Sequence, residues 1–261
     1  KVGDYVLSPH PILGNQSPMT VREAWAVGLF LAEGHFQKAG HGENIYPVFS
    51  LHRKEMEFIS RLRALYGERV RVHRSGENGM TIFIFDAKLG ERLLRLCGRL
   101  AHGKVIAAEV WDWCPILVKN LLRGYLDGDG CLIRGKWMAK TVSLSMASQL
   151  AHLANAIGFS TCLYKRPAKI GGGIAGRKFK NTRPFYELTF SPIERQISLK
   201  RRMTATQSIK YDGRDYRLRR INKINAVPYS GDVVNISVDG CHTFQTSVGM
   251  THNTQKPVEL A

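Results

Sequence analysis

The sequence of 261 residues is poor in acidic residues, has no paired cysteine motif, and lacks any apolar run long enough to form a membrane-spanning helix. From this we expect neither a transmembrane helix nor a signal peptide. It begins at Lys1 rather than at Met, so we expect an excised or truncated piece. The odd number of cysteines without a C-x-x-C spacing predicts reduced thiols in a cytoplasmic protein and no zinc site: Cys97, Cys114, Cys131, Cys162 and Cys241.

Basic residues dominate the charge. Lys and Arg number 38 against 21 Asp and Glu, and the net charge of +17 predicts a polyanionic partner. One stretch, "YKRPAKIGGGIAGRKFKNTR", has no acid, a glycine-rich centre and interleaved aromatic residues. It predicts a hairpin whose mobile basic tip follows a phosphate backbone, with a solvated loop as the alternative. Its candidate DNA-binding residues are Lys165, Arg166, Lys169, Arg177, Lys178, Lys180 and Arg183.

The stretch "GYLDGDG" places two acids among three glycines. It is no EF-hand loop, because the twelfth position from Asp127 is Met138 rather than Glu. Apolar residues recur at helical spacing in the preceding "VKNLLRGYLDGDG", so we expect a helix that ends at a left-handed Gly130. Asp129 then lies at the helix C-terminus, where the macrodipole disfavours an acid by about 0.3–1 kcal/mol. That position predicts an external partner for the carboxylate, and a metal ion fits best.

The same pattern occurs earlier, in "VREAWAVGLFLAEGHF". Gly28 precedes Glu33 by five residues, as Gly124 precedes Asp129. A glycine on the apolar face of a helix lets a second backbone come close. We therefore expect two helices packed glycine face to glycine face, with both carboxylates together at one end.

The elements after each of these helices also repeat. "NIYPVFSLH" reads as a strand, "KEMEFISRLRALYG" as a helix, "RVRVHRS" and "MTIFIFD" as a hairpin, and "KLGERLLRLCGRL" as a closing helix. In the second half the matching segments are "KTVSLSM", "SQLAHLANAIGF", the strands "STCLYKR" and "RPFYELTFS", and "IERQISLK". This order predicts an α+β fold made by internal duplication, with two sheets forming a basic saddle for a DNA duplex.

"AVGLFLAEG" and "LRGYLDGDG" resemble the LAGLIDADG motif of homing endonucleases in its two-copy, single-chain form. The resemblance implies a metal-dependent double-strand DNA nuclease, monomeric, with Glu33 and Asp129 as ligands of Mg²⁺ or Mn²⁺. It also implies one basic catalytic residue for each repeat. Lys104 in "HGKVIAAEVW" and Lys200 in "RQISLKRRM" are the candidates, although Ala107 stands where the family has Pro.

The C-terminal segment, "VVNISVDGCHTF" followed by "VGMTHNT", resembles the two C-terminal splicing blocks of inteins. This resemblance implies that the Asn253 side chain attacks its own main-chain carbonyl and cuts before Thr254, the hydroxyl nucleophile of splicing. His242 and His252 would assist by proton transfer. Asn235 departs from the Asp that is frequent in the family.

At the other end, "KVGDYVLSP" resembles the strand that follows the N-terminal splicing blocks, so the first nucleophile is missing and splicing in cis is not expected. "TQKPVELA" is similar to a segment of DNA amino-methyltransferases, which suggests the host extein. The expected domains are a β-rich Hint-type splicing remnant at 1–20, repeats at 21–115 and 116–208, a splicing segment at 209–253 and the extein at 254–261.

The prediction is therefore an intein-encoded homing endonuclease that cuts double-stranded DNA, with residual C-terminal autoprocessing and no membrane partner. Two alternatives stay open at this point. One is a binding protein of maturase type that keeps the nuclease fold without cleavage. The other is an intein fragment whose only activity is autoprocessing.

Overall fold

The computed structural model describes residues 1–38, 44–168, 173–174, 177–178, 183–192, 207–211, 213–232, 243–245 and 250–252. The chain divides into two compact units. A central unit comprises Ile12–Ile193, and a terminal unit is assembled from Lys1–Pro11 and Glu194–Ala261. In sequence, the central unit is thus inserted into the terminal one. No helix among the described residues has the length and apolarity needed to span a membrane.

The first half of the central unit contains three helices and one antiparallel sheet. In chain order these are α1 (Val21–Glu33), β2 (Gly34–Lys38), β3 (Ile45–His52), α2 (Met56–Tyr66), β4 (Val70–Ser75), β5 (Gly79–Ile84) and α3 (Ala87–Cys97), and β1 (Tyr5–Pro9) precedes them in the terminal unit. The strand order is β2-β3-β5-β4. Two 3₁₀ turns, Gly67–Arg69 and Ala108–Asp112, complete this half.

The second half repeats this arrangement. It contains α4 (Pro115–Asp129), β6 (Cys131–Ile133), β7 (Lys136–Thr141), α5 (Leu144–Ala156), β8 (Phe159–Arg166), the short pair β9 (Gly173–Ile174) and β10 (Arg177–Lys178), and β11 (Phe185–Pro192). Its sheet has the order β6-β7-β11-β8, in which these strands take the places of β2, β3, β5 and β4 of the first sheet. The predicted duplication is confirmed.

Two local predictions need correction. A short strand follows each acidic helix, β2 in the first half and β6 in the second, and neither was predicted from the sequence. The predicted strand "KTVSLSM" ends at Thr141, because Ser143 accepts a hydrogen bond from the Met146 amide and starts α5. The expected closing helix "IERQISLK" lies outside the described residues.

α1 and α4 form the centre of the apolar core. A capping box between Thr20 and Glu23 starts α1, and Pro115 occupies the first turn of α4. The largest fully buried side chains include Trp25, Tyr125 and Trp113. Because residues from both repeats bury each other here, the two halves share one core.

The terminal unit contains a three-stranded antiparallel sheet of order β1-β13-β12, with β12 (Gln207–Tyr211) and β13 (Arg214–Arg220). Tyr5 pairs with Arg220, so the first and the last part of the chain lie in one sheet. The strand predicted in "KVGDYVLSP" is confirmed as β1. A second pair, β14 (Thr243–Gln245) and β15 (Met250–His252), is also antiparallel.

Candidate active site

The two motif helices pack through their glycines. A Cβ atom added to Gly28 would lie 1.9 Å from the Leu121 carbonyl oxygen, and one added to Gly124 would lie 1.9 Å from that of Trp25. Only glycine allows backbones to approach this closely. The predicted glycine-to-glycine packing is confirmed, and it brings the C-terminal ends of α1 and α4 together.

α1 and α4 end at Glu33 and Asp129 as expected, but the backbone conformation that follows α4 differs from the predicted one. Gly34 and Gly130 follow Glu33 and Asp129 with φ near −88° and extended ψ, so the predicted left-handed stop at Gly130 is wrong. The chain passes straight from each helix into a strand. Glycine is still needed at 130 because a Cβ there would lie 2.3 Å from the Leu126 carbonyl oxygen.

Gly128 makes room for the longer of the two acids. A Cβ at this position would lie 2.6 Å from the Ala32 Cβ and 3.1 Å from the Glu33 Cγ. The glycine in the second motif therefore faces the Ala–Glu pair of the first. The missing side chain at Gly128 leaves space for the Glu33 side chain, which is longer than that of Asp129.

Glu33 and Asp129 lie close enough to affect each other electrostatically. Burial, then the Asp129 and Glu55 charges, raise the pKa of Glu33 to about 7, against the opposing effect of Lys104. The pKa of Asp129 is also raised, because neighbouring atoms desolvate its carboxylate, while the Lys104 charge opposes the shift. Two acids that disfavour their own ionisation need a cation to be charged together.

The donor set fits Mg²⁺ or Mn²⁺. Mg²⁺ is held by one or two carboxylates, with waters and substrate phosphates completing its shell. Within the described part of the chain, no group of three or more His, Cys, Asp or Glu side chains could form a complete protein cage. Glu33 and Asp129 would therefore hold an ion that takes its remaining ligands from water and phosphate.

Lys104 is positioned by the end of α1. Its buried ammonium donates to the carbonyl oxygens of Phe30, Leu31 and Ala32 at 3.2, 2.8 and 3.2 Å. The Phe30 carbonyl also accepts the Gly34 backbone N–H, so Lys104 reinforces the last turn of α1 and adds positive charge at the negative end of the helix dipole. Burial lowers its pKa, while the charges of Asp129, Cys97 and Glu33 oppose the shift. Lys104 belongs to the site, and its catalytic role stays a prediction.

Asp127, the other acid of "GYLDGDG", binds protein groups instead. Its carboxylate accepts a hydrogen bond of 2.8 Å from the Trp25 indole and pairs with Arg123 at 2.6 Å and Arg61 at 3.6 Å. The Arg61 guanidinium also lies over the Trp25 ring, 3.7 Å from its centroid. Asp127 therefore links α4 to α1 and α2, and Asp129 alone faces the site.

Two basic residues at the site were missed by the sequence analysis. A cavity of about 400 Å³ is lined by Asp129, Lys104 and the exposed Lys140, together with Phe185. His35 follows Glu33 closely in β2, and its pKa is lowered by partial burial and then by the Lys104 charge. No motif marks either residue; Lys140 lies in β7, where it is the Cα partner of Glu187 in β11.

The two long strands of the basic hairpin pair as predicted. β8 and β11 pair from Phe159 opposite Pro192 to Arg166 opposite Phe185, and Lys165, Arg166 and Arg183 are exposed. The backbone of Arg177 and Lys178 forms β10, paired with β9. Arg166 also pairs with Glu187 at 2.8 Å. Lys169 and Lys180 lie outside the described residues, as does Lys200.

The predicted splicing residues fall in the terminal unit. Thr243 is the Cα partner of His252 in the β14–β15 pair, so the two predicted splicing blocks run side by side. His242, Asn253 and Thr254 lie outside the described residues. Their roles remain predictions.

The central unit thus defines a mixed α/β protein with a duplicated helix-and-sheet architecture and paired carboxylates between its halves. Residues 117–227 match the family profile of the LAGLIDADG-like domain. The matched segment includes the second motif, in agreement with the resemblance that its sequence predicted.

One curated relative is the ATP-dependent DNA helicase Hel308 of Thermococcus kodakarensis, 26% identical across 91% of this chain and 22% of its own length. The chain thus spans about a fifth of that relative. Among solved structures, a variant of the homing endonuclease I-DmoI in complex with its target DNA and Mn is 10% identical, with a TM-score of 0.45 over 66% of this chain and 87% of that one. The homing endonuclease I-WcaI bound to its DNA recognition sequence is 13% identical, with a TM-score of 0.39 over 69% and 78%. Likenesses of this degree say nothing about activity.

Proposed function

We propose that the central unit is a site-specific, metal-dependent endonuclease for double-stranded DNA. The observation that carries the proposal is the meeting of Glu33 and Asp129 at the ends of two helices that pack glycine to glycine. A pair of carboxylates held together against their own repulsion is suited to a divalent cation and a phosphodiester. The LAGLIDADG-like domain and the charge of +17 agree with this assignment.

The residues of this chain have separable tasks in hydrolysis. When bound, a divalent cation supplies a water of lowered pKa and neutralises charge on the phosphate. Glu33 and Asp129 would hold that ion. Lys140, at the rim of the Asp129 cavity, is placed to pair with a phosphate oxygen. Lys104 keeps α1 in position and limits the repulsion between the acids.

Cleavage of a randomised duplex library in Mg²⁺ tests the proposal. We expect selected duplexes to be cut in both strands by the full chain, and cutting to be lost in Asp129→Asn and Glu33→Gln. Glu91→Gln, at an exposed position of α3, is the matched control and should cut normally. Duplex binding without any cutting would instead assign the chain to the maturase-like binding class.

A second function, C-terminal autoprocessing, is supported by the organisation of the chain. The central unit interrupts a β-rich terminal unit built from both chain ends, and β14–β15 places Thr243 opposite His252. This is the arrangement expected of a nuclease inserted in an intein. We propose that Asn253 cyclises and releases the segment 254–261, which would be the start of an extein from a DNA methyltransferase.

Mass spectrometry of the incubated full chain checks this second proposal. We expect loss of the mass of residues 254–261, prevented by Asn253→Ala and unaffected by Asp129→Asn. If the chain keeps its full mass while it cuts DNA, the autoprocessing proposal is wrong and the nuclease proposal stands.

A further inference from the structure

The first sheet has an apolar surface that is separate from the core. His35, Val48, Phe83 and Arg71 are successive Cα partners across β2, β3, β5 and β4, so their side chains share one face. Val48 is fully buried, yet it does not belong to the core cluster, whose residues come from the other face. Phe83, its Cα partner in β5, lies on the same face.

These rings form a continuous row. The His73 and Phe83 centroids are 5.4 Å apart, Phe83 and Phe85 are 6.1 Å apart, and Phe85 and Tyr46 are 5.5 Å apart. Phe85 remains 47% exposed although it is a large apolar side chain. We call this surface, formed by Tyr46, His73, Phe83 and Phe85, the aromatic face. Exposed aromatic residues in a contiguous patch mark a binding surface.

The charge around the aromatic face favours a polyanion. The outward positions of the four strands carry no acid among the described residues: His35 and Gln37 in β2; Tyr46, Val48, Ser50 and His52 in β3; Thr81 and Phe83 in β5; Arg71, His73 and Ser75 in β4. The same face reaches the candidate active site through His35, two residues from Glu33. A duplex held at Glu33 would therefore extend over these rings.

The second sheet presents a different surface on the matching face. Lys140, Glu187 and Tyr164 are successive Cα partners, and Arg166 pairs with Glu187. That surface offers charged hydrogen-bonding groups to base edges and phosphates. The aromatic face offers apolar contact instead, and the apolar group in the major groove is the C5-methyl of thymine.

We infer that the aromatic face recognises thymine methyl groups in one half of the DNA target, so that the two sheets read their half-sites by different chemistry. The inference rests on the proposed function, because it needs a duplex lying across both sheets. It predicts a half-site rich in thymine on the side of the first sheet and no such requirement on the side of the second.

Replacing thymine by deoxyuridine tests this directly, since only the methyl group is removed. Duplexes are first selected with the full chain from a randomised library without divalent metal, and affinity is then measured with deoxyuridine in one half at a time. We expect about a fourfold loss of affinity per contacted thymine, the equivalent of burying one methyl group. The loss should be confined to one half of the site.

Variants then assign the effect to the aromatic face. Phe85→Ala should bind the thymine and deoxyuridine duplexes equally, whereas Met56→Ala, 52% exposed in α2, should keep the full discrimination. Equal affinity of the wild-type chain for both duplexes would overturn the inference and leave the nuclease proposal standing. Tighter binding of single-stranded RNA, lost in Phe85→Ala, would overturn it in favour of base stacking. A chain that binds no duplex at all would remove the inference and the proposed function together.

Discussion

At the scale of single residues, the raised pKa of Glu33 makes the stability of the metal-free protein depend on pH. The folded state holds the Glu33 proton up to about pH 7, whereas the unfolded chain releases it near the ordinary value of 4.5. The folded state thus binds more protons between these values, and stability falls as pH rises through this window. Burial of Asp129 acts in the same direction.

We therefore expect the melting temperature in EDTA to decrease from pH 5 to pH 8, with a shallower decrease in Glu33→Gln. Added Mg²⁺ should raise the melting temperature more at pH 8 than at pH 5, because the cation replaces a proton between the carboxylates. Thermal denaturation at several pH values measures both effects. An unchanged pH slope in Glu33→Gln would show that other groups cause it.

Asp127 and Asp129 are two residues apart but should respond to substitution in different ways. Asp127→Ala leaves the buried Trp25 N–H and two arginines without their acceptor, and we expect a loss of about 2–3 kcal/mol in the free energy of unfolding. Asp127→Asn keeps an acceptor for Trp25 and should lose less. Asp129→Asn should not destabilise the metal-free protein, since it removes a carboxylate whose charge burial disfavours.

The stabilisation by Mg²⁺ separates the two roles. Denaturant unfolding with and without Mg²⁺ should show that Asp127→Asn keeps the metal effect and Asp129→Asn loses it. If both variants lost it, Asp127 would belong to the metal site rather than to the packing of the helices.

Residue spacing predicted the acids but could not give their surroundings. Gly28 with Glu33 and Gly124 with Asp129 follow from a helical period that is visible in the sequence. Lys140 and His35 were missed because no motif marks them: Lys140 lies opposite Glu187 in the β7–β11 pair, and His35 lies in β2, which was not predicted. Lys104 was identified by resemblance. Its hydrogen bonds to the end of α1 could not be predicted, because they join residues more than seventy positions apart in the sequence.

At the scale of elements, the contact between α1 and α4 joins the repeats. Gly124→Ala would place a methyl group against the Trp25 carbonyl, so α4 would have to shift or α1 would have to bend. We expect a loss of about 3 kcal/mol, the upper range of overpacking in a core, and weaker Mg²⁺ binding because the acids move apart. Lys119→Ala, at an exposed position of the same helix, is the control and should change stability little.

Chemical denaturation of the two variants measures this difference. Equal stability of Gly124→Ala and the wild-type chain would mean that the two helices tolerate a wider separation than their glycine contact indicates.

The long periodic elements were predictable, whereas the short ones depended on tertiary context. α2, α3, β3 and the β8–β11 hairpin were predicted because apolar spacing and turn residues mark them. β2 and β6 are three to five residues long and gain their stability by pairing with a neighbouring strand. At "KTVSLSM", apolar alternation favoured a strand, but the Ser143 cap decided for a helix.

At the scale of the whole molecule, the chain is divided between a central unit and a terminal unit of different architecture. Paired sheets with a shared acidic centre occupy Ile12–Ile193, while both chain ends build a separate β-rich unit. An insertion of this kind can keep its own activity because its core is complete without the surrounding unit. The nuclease and autoprocessing proposals therefore concern different units and can fail independently.

The net charge of +17 should make nucleic-acid binding strongly dependent on salt. Each phosphate neutralised by a Lys or Arg contributes about −0.9 to the slope of log K against log salt concentration for duplex DNA. Lys165 is exposed in β8 beside the basic hairpin tip, and among the described residues it makes no ion pair, in contrast to Arg166. Lys165→Ala should therefore reduce the magnitude of the slope by about 0.9 and weaken binding to every duplex alike.

The matched control is Lys88→Ala, which replaces an exposed lysine of α3 and should leave the slope unchanged. Fluorescence anisotropy at several salt concentrations measures the slopes, and equal slopes for Lys165→Ala and the wild-type chain would place the hairpin outside the phosphate contact.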